Sequence, residues 1–293
     1  MNKKKKEYII YLILRGCAFL TILTTIGIVT VLLSESLTFF KNVSFWSFIS
    51  DTEWTPLFAN KHYGIAPLVS GTLLTTVIAL SVAVPIGLII AIYLSEYASD
   101  RFKSVIKPVL EILAAVPTVV YGFFALMFVT PFLQLFIPSL AGFNSLSAGL
   151  VMGIMIIPYV SSLSEDALSA VPSSLRQASY GLGASKFQTS FKVVFPAAAS
   201  GVTVAVILAL SRAIGETMIV SIAAGQQPRF TANPLVPIET ITGYIVQVCM
   251  GDVPHGSIEY RTIFVAGLTL FFITYVLNNI SYFLKLKYQE QYD

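Results

Sequence analysis

Charge is what this sequence has least of. Only 11% of its 293 residues are charged, about half the share in an ordinary soluble domain. Hydrophobic residues make up 56% and the mean hydropathy is +0.79, which excludes a soluble globular chain and places the protein in a membrane. Cysteine is scarce as well: Cys17 and Cys249 are the two thiols, and they make no disulfide framework. The two histidines, His62 and His255, lie far apart in polar segments without ligand-like neighbours and are read as solvated loop residues. Beyond one lysine run there is no low-complexity tract, and no repeat of solenoid period is present. Nor is there a phosphate-cradling P-loop. The nearest string to G-x-x-x-x-G-K-[ST] is GLGASK at Gly181 to Lys186, which lacks the spacing and follows no strand. Any ATP must be hydrolysed by another polypeptide, and no metal or cofactor site is expected in this chain.

What the chain has in abundance is apolar runs. Crossing a bilayer takes about 20 residues of helix, and six runs qualify: Tyr8 to Leu33, Leu68 to Leu94, Val109 to Ile137, Leu146 to Leu163, Ala197 to Gly225 and Thr262 to Leu284. They are too long and too uniformly apolar for barrel strands, so the fold class is an all-α integral membrane protein with six transmembrane helices. Basic residues are retained on the cytoplasmic side. Twelve of the 18 fall on one side: Lys3, Lys4, Lys5, Lys6, Arg101, Lys103, Lys107, Arg176, Lys186, Lys192, Lys285 and Lys287. Lys41, Lys61, Arg229 and Arg261 fall on the other, and Arg15 and Arg212 lie inside spans. Both termini are therefore expected in the cytoplasm, and the net charge of +3 reflects topology rather than nucleic-acid binding. The first run exceeds a signal peptide's apolar core and no small-residue cleavage site follows, so it is read as a retained anchor. The organisation is a single membrane domain over 1–293. Residues 1–66 hold the N-terminal tail, first span and outer loop, 67–284 a five-helix core with a polar loop at 164–195, and 285–293 a cytoplasmic tail.

Two outer loops, Ser34 to Pro67 and Gln226 to Tyr260, are long and rich in aromatics and proline, as functional loops often are. In the second, Ile238, Ile241, Ile245 and Val248 mark one face of a helix too short to cross, which either dips into the membrane or lies on it. The polar loop before the fifth run reads RQASYGLGASKFQTSFKVVFP from Arg176 to Pro196. Ser174 with Gln177, and Ser185 with Gln188, have capping-box spacing, and Gly183 is a natural helix stop. Phe187, Phe191, Val194 and Phe195 share one helical stripe ahead of Pro196. Two short helices meeting at a glycine turn form a knob whose aromatic face either docks a partner or packs back on the bundle.

Inside the fifth run, SRAIGETM places Arg212 and Glu216 at i and i+4. An ionisable side chain at the bilayer centre costs at least roughly 2.5 to 3.5 kcal/mol, so it is kept for function or paired away. A guanidinium presents a planar fork suited to oxyanions and does not lose its charge. The expected arrangement is an anion route in which Glu216 orients and partly neutralises Arg212; an internal ion pair that only locks the helix is the competing one. Tyr121, with Pro117 and Gly122, is a weaker pathway candidate, and Glu111 suits a helix N-terminus near the membrane surface. Arg15 is expected to snorkel.

The order Gln177, Ala178, Ser179, Gly183, Val193, Phe195, Pro196 resembles the cytoplasmic EAA loop of ABC importer permeases, E-A-A-x3-G-x9-I-x-L-P, with Gln177 in place of Glu. SRAIGETMIV at Ser211 to Val220 and EILAAVPTVVYGFFAL at Glu111 to Leu126 are similar to Pst-type phosphate importers, and Met218 with Ala223 to Gly225 to their C-type permease subunit. Sulfate and molybdate permeases carry a related RALGE string. The resemblance implies a type I ABC importer permease fold in a bacterial plasma (inner) membrane, paired with an A-type permease. It also implies an ATPase dimer that binds ATP and magnesium and an extracytoplasmic phosphate-binding protein. It makes Gln177, Ala178, Gly183, Phe187, Phe191 and Pro196 the ATPase-coupling residues, and Arg212, Glu216 and Tyr121 the substrate pathway. A self-sufficient anion transporter or channel, and a non-transporting scaffold, are the readings from other classes.

Overall fold

The computed structural model describes residues 3–288. The side chains of Lys3 to Lys6, Lys285 and Lys287, six of the charges behind the expected orientation, and most of the tail at 285–293 lie outside the described residues. Among the described residues the regular structure is helical, with only two isolated bridges, Trp54–Tyr63 and Gly225–Ile238. The helices are α1 (Lys3–Phe40), α2 (Phe45–Ser50), α3 (Ala66–Tyr97), α4 (Asp100–Ala115), α5 (Thr118–Gln134) and α6 (Ser145–Ser169). They continue with α7 (Ser173–Gly181), α8 (Lys186–Ala197), α9 (Ala199–Ile214), α10 (Met218–Ala223), α11 (Ile241–Met250) and α12 (Ile258–Tyr288).

Four stretches are long and apolar enough to cross a membrane, namely Ile10–Phe40, α3, α6 and Ile258–Phe283, and the bent pairs α4–α5 and α8–α9 bring the number to six if each pair is one span. The third and fifth runs are thus not straight helices. α4 and α5 meet at 84°, because Val116 precedes Pro117 and is pushed into extended backbone (ψ 129). α8 and α9 meet at 70° just after Pro196, whose ring removes a helical N–H. The apolar run of α1 is exposed almost throughout, as suits a helix bathed in hydrocarbon.

Lipid tails are as apolar as leucine, so helices in a membrane associate through close packing of small residues rather than through hydrophobic burial. The most extensive helix pair, α3 with α6, follows that rule. Gly149 lies against Ile78 and the Thr75 carbonyl, and a Cβ at Gly153 would lie 2.7 Å from the Ala79 carbonyl oxygen, with Ala79, Ala83 and Ala148 all buried in the same cluster. α5, α9 and α10 complete this central cluster.

A second cluster closes the end opposite the polar knob. Trp54 is 1% exposed and meets Tyr244 edge-on at 5.0 Å, and Phe39, Phe48, Ile65, Leu68 and Val248 surround them. The two long loops are therefore one packed lid, and α11 is inserted into it rather than lying on a membrane surface. His62 is not without neighbours: its Nδ1 lies 2.9 Å from Asp51 Oδ2 and its Nε2 3.5 Å from Glu53. The hydrogen bond to Asp51 raises the His62 pKa. Partial burial pushes the Asp51 carboxyl up, but bonds to His62 and the Glu53 backbone outweigh it and hold its pKa below the ordinary value. The sequence did not show this contact because the pair lies eleven positions apart across irregular loop.

Candidate functional site

The fifth span is interrupted where its charges sit. α9 ends at Ile214, Gly215 and Glu216 close its last turn by bonding back to Ser211 and Ala213, and α10 starts at Met218. A new helix N-terminus exposes backbone N–H groups that need acceptors. Glu216 supplies one: its Oε1 accepts from the N–H groups of Met218 (3.1 Å) and Ile219 (3.3 Å), while its own carbonyl accepts from the Thr242 hydroxyl of α11 (2.6 Å). The carboxylate is buried, 7% exposed. This corrects the expected pair: the break at Gly215 takes Glu216 off the face that carries Arg212, and no ion pair joins them among the described residues. Glu216 caps a helix instead.

Arg212 is left facing a cleft of about 540 Å³, which it lines with Ala114, Tyr159, Ser211, Gly215 and Asn278. Ser211 donates to Asn278 Oδ1 at 3.4 Å, and among the described residues Arg212 itself has neither hydrogen bond nor ion pair. An unpaired guanidinium at membrane depth is tolerated where it meets water or a ligand. Ala114 and Tyr159 also line a second cavity of about 290 Å³ that holds Lys107, Glu111 and Glu165, so the two cavities adjoin, the second lying between α4 and α6 toward the knob end. There Lys107 Nζ lies 2.7 Å from Glu165 Oε2, the one half exposed and the other buried. α4 turns this polar face inward and leaves Val105, Val109 and Ile112 outside at 61%, 54% and 68% exposure. That is the reverse of a soluble amphipathic helix. It suits a wall with hydrocarbon behind it and water in front.

Tyr121 does not reach the cleft. It is packed into the central cluster at 7% exposure, and its hydroxyl donates to the Leu113 carbonyl at 2.7 Å, one of those freed where α4 ends. That bond ties α5 back to the end of α4 across the kink.

The knob forms two helices around Gly183, whose φ of +84° is the left-handed conformation that favours glycine. The Ser185–Gln188 capping box is present in both directions. The Ser174–Gln177 box is not: α7 starts two residues earlier than that box requires, with Pro172 at the cap position and no side-chain cap. Ser179 is buried, and its hydroxyl lies 2.9 Å from that of Thr189, which pins the two helices together. The aromatic stripe divides. Val194 is fully buried and Phe195 packs beside it, whereas Phe187 and Phe191 stand out at 64% and 44% exposure with ring centroids 4.6 Å apart. With Phe195, Ile89, Tyr93 and Tyr97 they line a wholly apolar groove of about 500 Å³. Gln177, Ala178 and Pro196 are exposed on the same protrusion. At its root Arg176 pairs with Glu96, a contact between residues 80 positions apart that no sequence pattern announced.

Residues 83–288 match the family described as "Binding-protein-dependent transport system inner membrane component". A relative from Bacillus subtilis, "Probable ABC transporter permease protein YqgH", is 33% identical over 277 residues, 94% of this chain and 89% of that protein. "Phosphate transport system permease protein PstC" of Xylella fastidiosa is 32% identical over 82% of this chain and 79% of that one, and its namesake in Mesorhizobium japonicum 30% identical over 93% and 88%. Among solved structures, a bacterial ABC transporter that imports alginate matches with a TM-score of 0.65 at 14% identity, covering 98% of both chains. The inward-facing MetNI methionine ABC transporter matches at 0.56 and 16%, covering 78% of this chain and 95% of that one. These likenesses give the fold as that of ABC importer permeases.

Proposed function

The chain belongs to the family of binding-protein-dependent transport system inner membrane components, and from that premise we propose that it is the membrane-spanning permease subunit of an ATP-driven phosphate importer. It resides in the bacterial inner membrane and forms the phosphate pathway together with a second, A-type permease. A soluble phosphate-binding protein delivers the anion to the lid of packed loops. ATP and magnesium are held by a pair of ATPase subunits beneath the knobs, where Gln177, Ala178, Gly183, Phe187, Phe191 and Pro196 form the coupling surface.

One observation carries the reading. Arg212, a permanent cation at membrane depth, has no counter-ion among the described residues and faces an open cleft, in a chain similar throughout its length to phosphate permeases. Phosphate offers several acceptor oxygens to that fork. The adjoining cavity carries Glu111 and Glu165 against Lys107, so an anion leaving Arg212 meets net negative charge and is not retained. Weak holding is what transport needs.

The test is uptake of labelled phosphate into vesicles holding the whole complex, with ATP inside and the loaded binding protein outside. Uptake that needs ATP and survives a large excess of sulfate or molybdate is expected. Inhibition by either competitor assigns the cleft to that oxyanion. Anion flux through this chain alone, without ATPase, contradicts the reading.

A further inference from the structure

Among the described residues Arg176 is the cation with the most hydrogen bonds. It sits on α7, the first helix of the knob, and three elements converge on its guanidinium. Nε and Nη2 donate to Glu96 Oε1 at 3.2 and 2.8 Å, Nη2 also donates to the Leu168 carbonyl at 2.9 Å, and Nη1 donates to the Val171 carbonyl. Glu96 lies in the final widened turn of α3. Leu168 is in the last turn of α6 and Val171 just beyond it. Both side chains are largely withdrawn from solvent, 18% and 4% exposed. The carbonyls at a helix C-terminus lack intrahelical partners and carry the negative end of the helix dipole, so the guanidinium closes α6 as well as pairing with α3.

α6 is also a wall of the cleft. Met155 and Tyr159 line the Arg212 cavity, and Glu165 lines the adjoining one. From Leu168 to Met155 is 13 residues of one continuous helix that takes Pro158 in its course, roughly 20 Å at 1.5 Å per residue. The covalent route from knob to cleft, α8 into α9, is bent by 70° at Ala198. The route through Arg176 has no such joint: α7 is fastened to α6, and α6 is packed along α3 through glycine and alanine.

We propose that Arg176, with Glu96, is a positioning residue for transport: it makes the knob and the α3–α6 pair one rigid lever, through which a push on the knob moves the cleft wall. The inference rests on the coupling role assigned to the knob above. Lysine does not substitute for the planar fork, because one ammonium cannot meet a carboxylate and two divergent carbonyls together.

The experiment compares Glu96→Gln and Arg176→Lys with wild type in the complete complex in vesicles. It measures ATPase recovered with the membrane subunits, ATP hydrolysis, and phosphate taken up per ATP. Glu96→Gln keeps size and an acceptor oxygen, so it decides the matter if Arg176→Lys does not assemble. The expected result is normal recovery of ATPase and continued hydrolysis. Phosphate moved per ATP falls roughly tenfold, within the 5- to 150-fold range of coupling between sites, with an unchanged KM for the loaded binding protein. Unchanged phosphate per ATP in both variants overturns the inference, as does a parallel loss of assembly and hydrolysis, which marks a merely structural pair. Failure of the wild-type complex to take up phosphate at all removes the functional reading itself, a different outcome from a working wild type whose variants are also fully coupled.

Discussion

Replacing Glu216 by alanine removes the acceptor for two backbone N–H groups, those of Met218 and Ile219, at the N-terminus of α10. Loss of an N-cap costs about 0.5 to 2 kcal/mol, and stranding a buried donor adds about 1 to 3 kcal/mol. Ile219 is fully buried, so water does not replace the missing oxygen there. A loss of about 2 to 3 kcal/mol is expected. Glu216→Gln keeps an oxygen in place and exchanges a charge-assisted bond for a neutral one of about half the strength, a loss of about 1 kcal/mol. Thermal unfolding of the purified complex reads both: at roughly 2 to 4 °C per kcal/mol, alanine lowers the midpoint by about 4 to 12 °C and glutamine by about 2 to 4 °C. Adding Arg212→Gln separates a cap from an ion pair, since residues in direct contact show interaction energies of about 0.5 to 3 kcal/mol. The helix break predicts an Arg212–Glu216 interaction below about 0.5 kcal/mol. A value above about 1 kcal/mol, or glutamine as damaging as alanine, refutes the capping account.

Other perturbations have equally defined outcomes. Phe187→Asp puts a charge on the exposed aromatic pair, and Gly183→Pro is incompatible with φ +84°; each should release the ATPase while the membrane helices stay folded, and undiminished co-purification counts against the docking surface. Burial pushes the carboxyl of Glu239, in the packed lid, from an ordinary 4.5 up to about 8. A carboxyl with a raised folded-state pKa binds its proton more tightly when folded, so stability falls as pH rises from about 4.5 to about 8. Glu239→Gln should flatten that slope in a thermal midpoint series, and parallel slopes would show that the group ionises freely. Gly71 has the Glu239 backbone carbonyl against it, so Gly71→Ala collides with main chain that cannot rotate away. A sharp loss of folded protein in membranes is expected, and wild-type yield would refute that packing.

How much of this could be read in the residues follows from range. Hydropathy is local, so all six apolar runs reappear in the helices, and so do the glycine turn at Gly183 and the Ser185 capping box. The kinks were less visible. Pro117 and Gly215 are tolerated in straight membrane helices, and only the packing around Tyr121 and Glu216 shows that the backbone breaks there. For that reason i, i+4 spacing suggested an ion pair in a helix that does not run through both residues. Contacts across long separations were invisible: Arg176 and Lys107 were counted only as charges marking a side, whereas each meets a buried carboxylate on another helix. The aromatic stripe was legible as a stripe, but which half packs inward depended on the bend after Pro196.

The central claim is that a lone cation in the fifth span meets the transported anion. Replacing Arg212 by glutamine in the complete complex removes a charged donor that contributes about 1.5 to 3 kcal/mol. ATP-driven phosphate uptake should therefore fall about 10- to 150-fold while ATPase recovery and phosphate capture by the binding protein stay at wild-type levels. Uptake undiminished in that variant would contradict the account.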